Sequence, residues 1–181
     1  QLQKELGITF VYVTHSQSEA FAMADRVVIM SNGKIEQVGT PKDIYRAPRN
    51  RFVAEFVGRN NILSGTVLKI SKKAAQIETP SGLFLLKTEG QILFKGQDAT
   101  FVISADLVHL SCEEPEAKNI VRCKLISEEF VGSMVTLFLE DKNEQEFKVQ
   151  MQERELSKFD LQASKFIWLS WDSASAHLLA E

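Results

Sequence analysis

Residues 7–45 read GITFVYVTHSQSEAFAMADRVVIMSNGKIEQVGTPKDIY, and this stretch is the most informative part of the sequence. It begins with a short apolar run at residues 8–13, the pattern of a strand buried on both faces of a parallel sheet. Ser16 and Glu19 then have the spacing of a capping box, which predicts a helix from about Gln17 to Asp25. Strand followed by helix is typical of an α/β domain.

The second part of the stretch predicts a hairpin followed by two short helices. Residues 27–30 form another strand, and Asn32-Gly33 favours a tight turn into residues 34–38. Pro41 suits the first turn of a helix, and Pro48 divides residues 41–57 into two pieces. The apolar stripe Phe52, Val53, Phe56 and Val57 is interpreted as core, and the segment as a hinge. Four arginines flank the hinge and form either a solvated basic face or a contact with a nucleotide domain or partner: Arg46, Arg49, Arg51 and Arg59.

The remainder of the chain, residues 60–181, has the pattern of a β domain. Short apolar runs are separated by turn residues, and residues 147–151 alternate apolar and polar side chains, as a half-buried strand does. A Greek-key barrel is the expected fold, because closure leaves no sheet edge exposed. The predicted strands lie at 62–70, 74–79, 83–86, 99–103, 121–126, 134–139, 147–151 and 166–171.

Composition and charge favour an ordinary globular chain that does not bind nucleic acid. The 181 residues are 44% hydrophobic and carry a net charge of −3, and residues 60–181 are the more acidic part. A nucleic-acid-binding surface usually requires a basic patch, and none is evident. Cys112 and Cys123 have neither metal-ligand nor disulfide-framework spacing, so we expect reduced thiols and no metal site. Leu2 and Leu6 before Gly7 predict the last turns of a helix in a chain cut from a longer protein.

Residues 7–45 resemble the end of the nucleotide-binding domain of ABC ATPases. The shared pattern is an apolar strand, Thr-His, Glu-Ala, Ala-Asp-Arg, a second strand, Gly-Lys-Ile and Gly-Thr-Pro. The resemblance implies that His15 is the switch histidine, the one catalytic residue in this sequence, which contacts the γ-phosphate of ATP. A neutral imidazole can donate one hydrogen bond and accept another, which suits that role. Ser16 stands where many relatives have Asp, so an anionic contact to the partner subunit is in doubt.

The other parts that ATP chemistry requires are missing from the sequence. No G-x-x-x-x-G-K-S/T motif is present, nor an ABC signature or an apolar strand ending in Asp-Glu. The resemblance therefore implies that the parent protein hydrolyses ATP with Mg²⁺, and that this piece alone is inactive and binds neither.

The order of the two parts resembles the maltose, polyamine and ferric-iron group of ABC importers. That group implies a mainly β fold, with a Greek-key, OB-fold-like regulatory (TOBE) domain at residues 60–181 and a short α/β remnant of a P-loop ATPase domain at residues 1–59. It implies a homodimer of ATPase subunits, membrane permease partners and, indirectly, a solute-binding protein. The location would be cytoplasmic, on the inner face of the membrane. Spermidine and putrescine are the first substrate hypothesis, and ferric iron or sugar the alternative.

Two other hypotheses remain open from the residues themselves. The chain could be a stand-alone module that oligomerises or binds a small ligand. An effector could contact the β domain at Glu128, Glu129 and near Ser133, although a solvated acidic turn is the preferred interpretation of those residues.

Overall fold

The computed structural model describes residues 7–88, 92–161 and 164–180. The helix end predicted at Leu2 and Leu6 lies outside the described residues. Three short helices and one hairpin precede the β domain. Helices α1, α2 and α3 span Gln17–Met23, Pro41–Arg46 and Arg51–Phe56, and strands β1 and β2 span Val27–Ser31 and Lys34–Gly39.

The predicted hairpin is confirmed. Strands β1 and β2 pair antiparallel, and Ser31 lies opposite Lys34. The two turn residues, Asn32 and Gly33, have φ angles of 49° and 76°. This left-handed conformation is the one that Asn and Gly tolerate best, which is why the sequence revealed the turn.

Among its described residues the β domain contains ten strands and one further helix, in agreement with the predicted mainly β fold. They are β3 Asn60–Ile70, β4 Ala74–Thr79, β5 Gly82–Lys87, β6 Asp98–Ser104, β7 His109–Ser111, β8 Asn119–Val131, β9 Met134–Asp141, β10 Glu146–Gln152, α4 Glu153–Leu156, β11 Ile167–Trp171 and β12 Ala176–Leu178. Each predicted strand overlaps one of these, so the pattern of apolar runs and turns was a reliable guide. A 3₁₀ turn at Ala105–Leu107 follows β6.

The strands form two five-stranded antiparallel sheets that enclose one core. Their orders are β12-β6-β3-β4-β5 and β10-β9-β8-β11-β7. Phe84 of the first sheet lies 4.9 Å from Trp171 of the second, measured between ring centroids, and both are buried. Gly65 permits close packing within the first sheet, because a Cβ there would lie 2.1 Å from the carbonyl oxygen of Glu78.

Two buried asparagines, Asn61 and Asn119, join the two sheets by hydrogen bonds from their side chains to main-chain groups of the opposite sheet. The amide of Asn119 on β8 donates to the carbonyl of Leu85 at 2.9 Å and accepts from its N–H at 2.7 Å. A side-chain amide can replace a missing strand in this way, because it carries the same donor and acceptor as the backbone.

Residues 8–13 do not form the predicted buried strand, so that prediction was wrong. The segment has no assigned strand, and Val11 and Val13 are 89% and 90% exposed. A parallel strand requires neighbours on both sides for its hydrogen bonds and both faces. No strand among the described residues pairs with it.

Among the described residues, no helix has both the length and the apolar character needed to cross a bilayer.

Candidate functional site

His15 lies exposed in the bend that leads into helix α1. Ser16 caps the helix, since its Oγ accepts from the N–H of Glu19 at 3.4 Å. The reciprocal bond predicted for a capping box is not made: the N–H of Ser16 donates to Thr14 Oγ1 at 2.9 Å instead. The capping prediction for Glu19 was therefore wrong, although the helix begins where expected.

Glu19 instead restrains the segment before His15. Its Oε2 accepts from the hydroxyl of Thr14 at 3.1 Å and from that of Tyr12 at 3.2 Å. The residues on both sides of His15 are thus tied to the first turn of α1. Among the described residues the imidazole itself has no hydrogen-bond partner, which leaves both of its nitrogens available to a ligand.

Helix α2 and the connection between α3 and β3 are each joined to the β domain by an arginine–carboxylate pair. Arg46 Nη2 lies 2.8 Å from Asp106 Oδ2, and Arg59 Nη2 lies 3.0 Å from Glu129 Oε2. Arg59 also donates to the hydroxyl of Thr136 on β9. Two of the four flanking arginines therefore contact the β domain, rather than forming only a solvated basic face. Arg46 holds the predicted hinge segment itself, and Arg59 holds the chain two residues after it.

Asp106 lies in the 3₁₀ turn after β6 and has specific partners there. Besides Arg46, it accepts a hydrogen bond from the Tyr45 hydroxyl at 3.3 Å. Burial, followed by the negative charge of Asp106, raises the pKa of Tyr45 above its ordinary value, while Arg46 opposes that shift. The sequence did not indicate this pairing, because its partners are about 60 residues apart.

Apolar contacts and backbone hydrogen bonds support the same attachment. Ala54 of α3 packs with Val102 and Leu179 of the β domain, and the Ala180 N–H donates to the Arg49 carbonyl at 3.0 Å. Of the predicted apolar stripe, Val53 and Val57 are buried, as expected. Phe52 and Phe56 are about two-fifths exposed and stack on each other at 6.0 Å, so they are not core residues.

A cleft of about 440 Å³ lies between strand β8 and the segment that begins with helix α4, and it contains one of the residues named in the effector hypothesis. Its lining residues are Leu125, Glu128, Glu153, Leu156, Ser157, Phe159, Asp160 and Leu161. Glu128 is therefore at the cleft, whereas Glu129 pairs with Arg59. The acidic residues from α4 and the following segment were not predicted, because their approach to β8 depends on the tertiary fold.

Comparison with known proteins agrees with this architecture. A family model described as the TOBE domain matches residues 102–179, which extend from β6 to just beyond β12. Residues 102–179 of this chain are thus similar to the TOBE domain. This match covers the whole second sheet and, in the first sheet, strand β12 and the last three residues of β6. The matched region is joined to the preceding part of the chain through Asp106, which pairs with Arg46, and Glu129, which pairs with Arg59.

Curated relatives to which this chain is similar are import ATP-binding proteins. It is 33% identical over 183 residues to the spermidine/putrescine import ATP-binding protein PotA of Thermobifida fusca, covering 99% of this chain and 47% of that protein. The protein of the same name from Oleidesulfovibrio alaskensis is 64% identical over 66 residues, covering 36% of this chain and 18% of that protein. The chain spans about half the length, or less, of these relatives.

A solved structure supports the fold of the TOBE region. The cytoplasmic molybdate-binding protein ModG superposes with a TM-score of 0.59 at 16% identity, covering 67% of this chain and 96% of ModG. At that identity the likeness concerns the fold alone.

Proposed function

We propose that this chain is the C-terminal regulatory and dimerisation part of the ATP-binding subunit of an ABC importer for spermidine and putrescine. The observation that carries the proposal is the similarity to a spermidine/putrescine import ATP-binding protein over 99% of this chain. The TOBE match and the ABC-type pattern around His15 support the same assignment.

The proposed division places residues 1–59 in the ATPase domain and residues 60–181 in the regulatory domain. Two separate apolar clusters support it: Val27, Ile44 and Val53 belong to one, and the core between the β sheets is the other. Because the arginine pairs join the two parts, the α2–α3 segment would move with the regulatory domain during the ATPase cycle.

His15 is the proposed switch histidine. Its exposure and the bonds that restrain its neighbours support a role in contacting the terminal phosphate of ATP. The imidazole would donate one hydrogen bond to a γ-phosphate oxygen and accept another from water. ATP and Mg²⁺ would be held mainly by motifs that this sequence does not contain, so His15 alone is assigned.

The proposed partners are a second ATPase subunit and a membrane permease, with a solute-binding protein acting indirectly. The location that follows is the cytoplasmic face of the membrane. Hydrolysis of ATP would drive opening and closing of the dimer, and the permease would respond to that motion.

Uptake of labelled spermidine and putrescine by cells that carry the parent subunit tests the transport assignment. We expect His15→Ala in that subunit to abolish uptake while leaving protein abundance unchanged. Uptake of ferric iron or a sugar, with no uptake of polyamine, would contradict the substrate and retain the importer. If deletion of the subunit changes no solute flux, the importer assignment itself is wrong.

The dimer assignment is tested by the mass of the chain in solution across a dilution series, with and without residues 1–59. Circular dichroism first establishes that residues 60–181 retain their β structure. A dimer that persists in the shorter chain locates the contact in the regulatory domain. A folded monomer would contradict that role.

A second candidate function, a stand-alone module that binds a small ligand, is favoured only by the cleft beside Glu128. A parent protein without an upstream ATP-binding domain would support it and exclude the importer.

A further inference from the structure

Three cationic side chains gather around one aromatic ring on the second sheet. The guanidinium carbon of Arg122 lies 4.5 Å from the Phe166 ring centroid, and the ammonium groups of Lys165 and Lys124 lie 5.6 and 5.9 Å from it. We call Arg122, Lys124 and Lys165 the basic cluster. Its members come from two segments about 40 residues apart, so no run of basic residues in the sequence reveals it.

Strand register places the basic cluster on the outer face of the sheet. Along β8, Val121 and Cys123 are buried, whereas Arg122 and Lys124 are exposed. Because side chains alternate between faces, the two cations point away from the core. Strand β11 pairs Ile167 with Cys123, which brings the residue before it, Phe166, beside Lys124.

The positive charges of the basic cluster lack ion-pair partners in the part of the chain that the structure describes. Glu140 lies opposite Lys124 on β9, yet the two form no salt bridge. Each cation lies within about 6 Å of the ring centroid, so any two of them are at most about 12 Å apart; like charges at this range repel one another, most strongly at low ionic strength. This local positive charge stands in a domain with 13 basic and 18 acidic residues.

We propose that the basic cluster is a binding site for a soluble, multivalent phosphate-type anion. An anion with three or more negative charges would relieve the repulsion among the three cations at once, and guanidinium and ammonium groups are the usual partners of phosphate oxygens. Arg122 already lies over the Phe166 ring at 4.5 Å, in a position that a stacked nucleobase would have to take. The geometry thus favours a small polyphosphate over a single-stranded nucleic acid, which needs open aromatic platforms. The site is independent of the proposed transport function.

Tripolyphosphate is a suitable probe, titrated into the full 181-residue chain by calorimetry at constant ionic strength. We expect saturable binding of one anion per chain. Lys165→Gln and Arg122→Gln should each weaken it by about five- to ten-fold, since each removes one charge at close range. Lys72→Gln, an exposed lysine in the turn after β3, is the matched control and should change nothing.

The proposal is overturned if tripolyphosphate does not saturate, or if Lys72→Gln weakens binding as much as Lys165→Gln. It is also overturned if a short thymidine oligonucleotide binds more tightly than tripolyphosphate and quenches tryptophan fluorescence. Trp168 lies opposite Arg122 on β11, so that result would identify this face as a nucleic-acid-binding surface. The thermal midpoint of each variant should match that of the unaltered chain, which excludes unfolding as the cause of lost binding.

Discussion

The side chain of Asn61 is hydrogen-bonded to the backbone of Lys148 in both directions. Its Nδ2 donates to the Lys148 carbonyl at 2.9 Å, and its Oδ1 accepts from the Lys148 N–H at 2.6 Å. One residue of β3 in this way satisfies two main-chain groups of β10, which belongs to the other sheet. Together with Asn119 and Leu85, this pair closes the β domain.

Asn61→Ala should therefore lower the free energy of unfolding by about 2 to 4 kcal/mol, because both backbone groups of Lys148 lose their partner in a buried site. Urea unfolding followed by far-ultraviolet circular dichroism measures the loss. Asn143→Ala is the control: its amide bonds the Pro80 carbonyl at an exposed turn, where water replaces it. Equal stabilities of the two variants would mean that the amide bridge contributes nothing.

Asn119→Ala should have an effect of the same size, since this fully buried amide makes the equivalent pair of bonds to Leu85. The two asparagines share no partner, so their losses should add to within about 0.5 kcal/mol in the double variant. If the double variant has the same free energy of unfolding as the less stable single variant, the sheets separate as soon as one bridge is lost.

Phe84→Ala should destabilise the chain by about 3 to 5 kcal/mol, because it empties a core position beneath Trp171. Phe84 is 1% exposed and contacts both Trp171 and Phe101. Trp171→Phe should cost less, since the buried indole N–H has no hydrogen-bond partner to lose. Equilibrium unfolding in urea compares the stabilities of the two variants. A larger loss of stability in Trp171→Phe than in Phe84→Ala would contradict the central position of Phe84 in the core.

Cys123 should be unreactive in the folded chain. Burial, followed by the charge of Asp141, raises the pKa of its thiol from 9.0 to about 12. At pH 8 a disulfide reagent should modify Cys112 first and reach Cys123 only in denaturant.

The same shift makes stability depend on pH. The folded chain holds the Cys123 proton more tightly than the unfolded chain, so this contribution is present below about pH 9 and is lost as the pH rises toward 12. Cys123→Ala should flatten that part of the stability profile, and Cys112→Ala should not. An unchanged slope in Cys123→Ala would assign it to other groups.

The pKa of Tyr45 should respond in opposite directions to its two charged neighbours. Asp106→Asn removes a negative charge and a hydrogen bond, which should lower the raised pKa of Tyr45, whereas Arg46→Gln should raise it further. Ultraviolet titration in a Tyr12→Phe background isolates the signal, because the chain has only two tyrosines. Shifts of the same sign in both variants would contradict the Asp106–Arg46–Tyr45 arrangement.

Local signals predicted those elements whose stabilising contacts lie within a few residues. The Asn32-Gly33 turn, the Ser16 cap and the first-turn Pro41 each depend on φ angles or hydrogen bonds of their own neighbourhood. The apolar runs of the β domain were equally clear, since alternation reports which face of a strand is buried. His15 could be predicted as a site residue because its motif is contiguous in sequence.

Other features depend on contacts between distant residues. The apolar run ending at Val13 reads as a buried strand, but burial requires neighbouring strands, and the described residues supply none. The four arginines around the hinge could be predicted either as a solvated face or as a contact surface. The fold places Asp106 beside Arg46 and Glu129 beside Arg59. The cations around Phe166 were also not predicted, because only the tertiary structure brings Arg122 and Lys165 to the same ring.

The sequence by itself determined the mainly β class, the hairpin and the family resemblance around His15, because backbone preferences and side-chain periodicity act over short distances. Only the tertiary structure decided which distant residues contact each other: Asn61 with Lys148, Arg46 with Asp106, and the basic cluster with Phe166. Those contacts depend on strand order and register, which bring together residues tens of positions apart. No local sequence pattern specifies that order and register.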